Sequence, residues 1–291
     1  MSEKITISIL IMTYNHEEYI SQAIESAIMQ NTNFNLEIVI GEDYSKDNTR
    51  KICETYKNEY PNLINLLDSP RNYGMVPNFI RTFKNCRGRY IALLEGDDYW
   101  LDPLKLQKQY EHFLINKSVK LCCHNALVYN TLSNETKLSL FIKNRSFDKI
   151  PFEIIAKEWI IPTASIVFDK TYFKIPDWFN NIINWDWALQ ILLAAKGDVK
   201  YIDEMMSFYR QHKGGNSNNP IYTGINSLVT QTELLNYLIN ELPNYKQIIL
   251  SSIKSKETIL HRMKLKHRNR FLYYLRYPIK TLNTFVNNLK N

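Results

Sequence analysis

The stretch YIALLEGDDYW, residues 90 to 100, ends an apolar run in three carboxylates within four residues, Glu95, Asp97 and Asp98. Carboxylates so close repel one another, and a buried strand that ends on them calls for a compensating cation. Mg2+ and Mn2+ answer that need, because they take oxygen ligands and are commonly held by one or two carboxylates plus substrate phosphates. Asp97 and Asp98 are therefore candidate metal ligands, with Glu95 binding directly or through a water. A solvated turn would account for an isolated Asp-Asp pair equally well. Two further polar stretches favour a site: Thr13-Tyr14-Asn15 and Glu42-Asp43-Tyr44-Ser45 each follow directly on an apolar run.

The elements that must position these groups read as alternating strands and helices. Residues 5–12, 36–43, 63–69 and 89–96 are strand-like, and helical patterns fill the intervals, with Ser45 or Asp47 as a possible helix cap. The strand runs are apolar throughout, as in a mostly parallel sheet covered on both faces. In such sheets ligands sit beyond the carboxyl ends of the strands, where all three polar stretches fall. Further strands are expected at 120–130 and 164–170, a helix at 185–197, a flexible loop at 209–219 and helices alone from 220 to 291.

Of 291 residues, 45% are hydrophobic and 13% aromatic, enough for one large domain with a substantial core. Cys53, Cys86, Cys122 and Cys123 have no CxxC spacing and read as small core residues in a reducing compartment. No signal peptide and no apolar run long enough to span a bilayer is visible. The net charge of +7 is concentrated at the end: Lys254 to Asn291 holds ten Lys or Arg against one acidic residue, Glu257. A nucleic-acid-binding domain would more often carry its charge on a folded face, so no nucleic-acid partner is expected.

The chain resembles a family 2 glycosyltransferase of the GT-A fold, of the inverting, bacterial surface-glycan type. The likeness rests on four motifs in order: SILIMTYNHEEYI, EIVIGEDYSKDNT, NYGMVPNF and YIALLEGDDYW. It covers about residues 5–215. Two positions depart from the family pattern: Glu95 stands for the first Asp of the DxD motif, and Tyr44 for a Gly.

The resemblance implies an α/β nucleotide-diphospho-sugar transferase fold, with residues 1–219 as catalytic domain and 220–291 as a helical extension ending in a basic amphipathic tail. It implies transfer of a hexosyl-type sugar from a nucleotide-sugar, a UDP-sugar by preference, to the hydroxyl of a glycan or lipid-linked acceptor. Mn2+ or Mg2+ would be the cofactor, on Asp97, Asp98, Glu95 and His212. Thr13, Tyr14, Asn15, Glu17, Asp43, Asn72, Asn78 and Asp97 would line the nucleotide pocket, with Asp43 accepting the uracil N3–H. Asp186, in Asn-Trp-Asp-Trp, falls where the family places its general base; a helix cap is the alternative. Trp185, Trp187 and Trp100 are possible acceptor or sugar contacts, or core. Arg210 or Lys213 could neutralise diphosphate charge, His212 could equally be an exposed loop residue, His124 reads as structural and His16 as solvent-facing. An inactive scaffold of the same fold and a sugar nucleotidyltransferase are the rival readings; the latter lacks its Gly-rich phosphate loop here. The expected location is the cytoplasm, at the inner face of the cell membrane if the tail meets anionic lipid rather than packing on the catalytic domain.

Overall fold

The computed structural model describes residues 4–130, 137–142, 147–215 and 219–276. Strands β1 (Ile7–Thr13), β2 (Leu36–Glu42), β3 (Ile64–Leu66) and β4 (Tyr90–Glu95) lie parallel, in the order β3-β2-β1-β4. Helices α1 (Ile20–Ile28), α2 (Thr49–Glu59) and α3 (Met75–Asn85) connect them. The register pairs Thr13 with Glu42 and Met12 with Glu95, so β1, β2 and β4 end together and their three polar stretches meet at one sheet edge.

Beyond β4 the sheet becomes mixed. β8 (Val167–Asp169) is antiparallel to β4 and to β6 (Val119–Asn130), while β9 (Asp198–Gln211) runs parallel to β6. β5 (Tyr99–Trp100) closes the far edge against β9, and β7 (Lys137–Leu140) pairs with β6. Helices α4 (Lys105–Ile115), α5 (Phe152–Lys157) and α6 (Trp185–Ala194) pack on the faces.

Alternation along β1 divides the core. Ile7, Ile9 and Ile11 face the α1, α2 and α4 side; Leu10 and Met12 face the α3 and α6 side. Removing these side chains from water is the main stabilising term, about 25 cal/mol per Å2 of apolar surface. All four cysteines are buried and free.

β9 corrects the expected loop at 209–219, since the strand runs on to Gln211. Its run Asp-Glu-Met-Met-Ser mixes polar and apolar residues because one stretch of it is exposed, and register shifts against β6 near His124 and Asn125 blur the period of two. β5 and α4 carried too short or too polar a pattern to be assigned.

Helices α7 (Gly224–Glu241) and α8 (Lys246–Arg276) form an antiparallel pair that shares the core. Leu234, Leu235, Leu238, Leu242, Ile249 and Ile253 join the cluster that holds α3 and α6. Burial along α8 ends at Lys256; from Glu257 to Leu265 no residue is buried. The last part of the basic tail, residues 277–291, lies outside the described residues. No helix among the described residues is long and apolar enough to cross a membrane.

Candidate active site

A cleft of about 330 Å3 opens at the shared strand edge, lined by Thr13, Tyr14, His16, Asp43, Asn72, Asn78, Glu95, Asp97 and Arg210 among others. Its near wall is a loop held by backbone conformation and short polar links. Asn15 takes a left-handed φ of 55°, which Asn tolerates better than most residues. Its N–H donates to Ser45 Oγ at 2.9 Å, and its side-chain oxygen accepts from Lys46 N at 2.8 Å. Glu17 accepts from both the backbone and side chain of Asn48. Asn15 and Glu17 thus join the two loops and are not part of the cleft lining, contrary to the sequence expectation. Tyr44, where the family has Gly, keeps a left-handed φ of 61° and leaves its ring exposed.

Asp43 has a definite structural task. Its two oxygens accept the N–H groups of Tyr73, at 2.7 Å, and Gly74, at 2.9 Å. Asn72 returns a bond to the Asp43 carbonyl at 2.9 Å. The turn depends on Gly74, whose φ of 84° disfavours a side chain. Burial raises the Asp43 pKa against the pull of these two N–H groups. Asn78 is 3% exposed and spent on structure: it donates to the Gly41 carbonyl at 2.7 Å and accepts from Arg81 at 2.8 Å.

The carboxylates of the opening motif have three different surroundings. Asp97 Oδ2 lies 3.1 Å from His212 Nε2 and 3.8 Å from His16 Nε2. Burial pushes the Asp97 carboxyl up, but the two imidazoles outweigh it and hold the group below the usual range. Asp98 is 1% exposed and accepts the Arg210 backbone N–H at 2.9 Å. It is not among the residues that line the cleft: Oδ1 anchors β9 to the motif, while Oδ2 is buried with no hydrogen-bond partner among the described residues. Burial, reinforced by Asp97 and Glu95, pushes its pKa well up. Glu95 is likewise pushed well up, by burial and then by the charges of Asp97 and Asp186.

Gly96 makes this arrangement possible. A Cβ there would lie 2.4 Å from Thr13 Oγ1 and 2.9 Å from His16 Nδ1, so any side chain would force apart the strand ends that bring His16 to Asp97. His16 is therefore a wall of the cleft rather than solvent-facing, with a pKa lowered by burial despite Asp97. The Arg210 guanidinium bonds the Asp97 carbonyl and Gln22, and lies 4.6 Å over the Tyr99 ring. Lys213 is exposed and outside the lining.

Among the described residues no group of three or more His, Cys, Asp or Glu side chains is placed to hold a metal ion by itself. What is present, one carboxylate with an imidazole at hydrogen-bond distance and a second nearby, fits an open site in which substrate phosphates complete the sphere of a divalent ion.

A second cleft, of about 230 Å3, adjoins the first; Glu95 lines both. Asp186, in the first turn of α6, faces it. Its Oδ2 accepts from Trp159 Nε1 at 2.6 Å and Thr163 Oγ1 at 3.2 Å. Burial raises the Asp186 pKa, countered by the Trp187 N–H and then by Trp159 and Thr163. Tyr222, Ser227 and Gln231, from the C-terminal extension, complete the wall.

The three proposed tryptophan contacts are core instead. Trp185 is 2% exposed and stacks on Phe79 at 4.3 Å. Trp187 donates to the Ile155 carbonyl, and Trp100 to the Ala164 carbonyl. All three indoles are almost fully buried, although Trp185 and Trp187 also line the second cleft beside Asp186. Trp159, half-exposed beside Asp186, has that placement, and no motif spacing singled it out. His124 is fully buried, its Nδ1 against the Asn125 carbonyl.

Residues 8–179 match the model for glycosyl transferase family 2, and the chain belongs to that family. It is 32% identical over 212 residues to an uncharacterised protein of Mycobacterium tuberculosis (strain ATCC 25618 / H37Rv), spanning 72% of this chain but only 60% of that protein's length. It is 26% identical over 215 residues to the putative teichuronic acid biosynthesis glycosyltransferase TuaG of Bacillus subtilis, 73% of this chain and 82% of TuaG. The crystal structure of S. aureus TarS 1-349 in complex with UDP-GlcNAc superposes with a TM-score of 0.58 at 16% identity, over 90% of this chain and 72% of that one, a likeness of fold.

Proposed function

We propose that this chain is an inverting glycosyltransferase that moves a sugar from a nucleotide-sugar, a UDP-sugar by preference, to an acceptor hydroxyl in bacterial surface-glycan synthesis. The observation that carries this reading is the pair of adjoining clefts divided by Glu95, with Asp97, His16 and His212 on one side and Asp186 on the other. A donor diphosphate in the first and an acceptor in the second would meet at that boundary. The TarS complex with UDP-GlcNAc and the name of TuaG lend support to the donor and the product class.

Asp97 and His212, with His16 close by, would hold Mn2+ or Mg2+; the imidazole nitrogen favours Mn2+. Once bound, the ion supplies positive charge against the donor diphosphate. Asp186 accepts the proton of the acceptor hydroxyl as its oxygen bonds to the anomeric carbon, and the nucleoside diphosphate departs with the electrons of the broken bond. Trp159 and Thr163 both donate to Oδ2 and hold the carboxylate in place. Residues 1–219 form the catalytic domain in this reading, and 220–291 an extension whose basic end, rich in Leu, Phe and Tyr, attaches the enzyme to anionic lipid at the inner face of the membrane.

A panel of UDP-, GDP- and dTDP-sugars incubated with the protein and Mn2+, read by release of nucleoside diphosphate, tests the proposal. Release from a UDP-sugar that EDTA abolishes is expected. No release from any donor, with no binding of any nucleoside diphosphate, would contradict it.

A further inference from the structure

The second cleft has a marked electrostatic character. Glu95 and Asp186 both face it, and Asp97 lies just beyond. Among the described residues that line it, none is Lys, Arg or His. The Tyr222 hydroxyl, on the same wall, is pushed up to about 12 by burial and then by the charges of Asp186 and Glu95.

The remaining wall suits a polyhydroxylated, uncharged ring. Trp159 is 37% exposed, with its indole N–H committed to Asp186 and its ring propped edge-on by Phe141 at 5.2 Å. A fixed, partly exposed indole offers an apolar face to the C–H side of a sugar. Gln231 is likewise set in place: its side-chain oxygen accepts from Lys256 Nζ at 2.7 Å, and its nitrogen donates to Ser227 Oγ at 2.9 Å. That leaves one amide hydrogen of Gln231 for a hydroxyl oxygen. Lys256 spends its charge behind this wall, on Gln231, the Lys157 carbonyl and the Trp187 ring, rather than in the cleft.

We propose that the cleft beside Asp186 is an acceptor subsite for an uncharged glycosyl unit, seated against Trp159 and contacted by Gln231, and that it excludes acid sugars and phosphorylated sugars at that position. This rests on the glycosyltransferase reading and names its acceptor class. The C-terminal extension becomes part of acceptor selection, because Tyr222, Ser227, Gln231 and Lys256 all come from it.

The test uses the full chain and matched pairs of p-nitrophenyl glycosides: glucoside with glucuronide, galactoside with galacturonide, and glucoside with its 6-phosphate. Transfer is measured with the donor that the protein turns over, and binding of the same probes to the UDP- and Mn2+-loaded protein is followed by saturation-transfer NMR. In each pair the neutral member should have the higher kcat/KM, by about tenfold or more for one like charge at close range in a partly buried site. Ser227→Lys should move that ratio at least severalfold toward the anionic member, while Ser227→Gln, similar in bulk without the charge, should not. Thermal melts confirm that both variants fold.

Equal or better use of the anionic member in every pair would overturn the proposal. So would failure of all probes to bind or react on a protein that still binds UDP. Failure to bind any nucleoside diphosphate would instead remove the glycosyltransferase reading beneath it.

Discussion

The Trp159 indole N–H donates to Asp186 Oδ2 at 2.6 Å, linking the loop after α5 to the first turn of α6. A hydrogen bond to a carboxylate favours its charged form. Trp159→Phe keeps an aromatic face and removes the donor. We expect kcat to fall by about tenfold, the size of one charge-assisted hydrogen bond, with a smaller change in donor KM. An unchanged kcat in steady-state assays would show that Trp159 does not position the base.

The pH profile follows from the same contact. Asp186 must be ionised to accept a proton, and burial raises its pKa. The acid limb of kcat should therefore lie above the ordinary Asp range, with activity lost as pH falls through it. Removing the Trp159 N–H raises the Asp186 pKa further, so Trp159→Phe should shift this limb to higher pH. A limb that stays in place in the variant would contradict the link.

The two aspartates of the motif should part company on mutation. Asp97→Asn should weaken Mn2+ activation by about 10-fold or more, since a ligand to the ion is lost. Asp98→Asn should leave the Mn2+ dependence close to wild type and instead change the melting temperature, because Asp98 anchors Arg210 N within the fold. Manganese titrations of both variants alongside thermal melts check this; equal loss of Mn2+ affinity in both would restore Asp98 as a ligand.

Lys105 is fully buried, bonded to Gln109 at 2.8 Å and set 4.1 Å over Trp100, and burial lowers its pKa to about 7. A folded pKa below the unfolded value of 10.5 means that the unfolded chain binds more protons between the two. The resulting penalty is full below about 7 and fades toward 10.5, a slope of up to about 1.4 kcal/mol per pH unit. Wild type should thus gain stability, relative to Lys105→Met, as pH rises from 7 to 10. Denaturant melts at several pH values measure the difference; parallel curves would show that the lysine keeps its proton.

The basic end of the chain should bind anionic vesicles. Ten Lys or Arg lie between Lys254 and Asn291, at roughly 1 kcal/mol each near an anionic surface. Sedimentation with phosphatidylserine vesicles should be strong at low salt and weak at high salt, and removal of residues 266–291, beyond the described packing of α8, should abolish it. Equal binding by the truncated chain would place the contact elsewhere.

Much of the architecture was legible because β1, β2 and β4 are apolar throughout and stop on polar residues; a parallel strand buried on both faces leaves that trace. The clustering of Glu95 and Asp97 at a cleft was legible for the same reason. The bond from Arg210 N to Asp98 was not legible, because sequence spacing does not show that β9 arrives beside the motif. Trp185 and Trp187 line the cleft with Asp186 but lie almost fully buried because helix α6 is buried nearly all round, a depth that their spacing in the sequence does not reveal. Trp159, Tyr222 and Gln231 reach Asp186 from distant segments, and His16 reaches Asp97 only because Gly96 allows a close approach. Contacts of that kind leave no periodicity to read.

The central claim, that the cleft beside Glu95 performs sugar transfer with Asp186 as base, is tested most directly by Asp186→Asn. Transfer and UDP-sugar binding should be measured on the same preparation, by product formation and by calorimetry. Turnover should fall by about 100-fold or more, the scale of general-base catalysis, while UDP-sugar binding stays within about twofold of wild type. Wild-type turnover in the variant, or loss of donor binding along with turnover, would contradict the account.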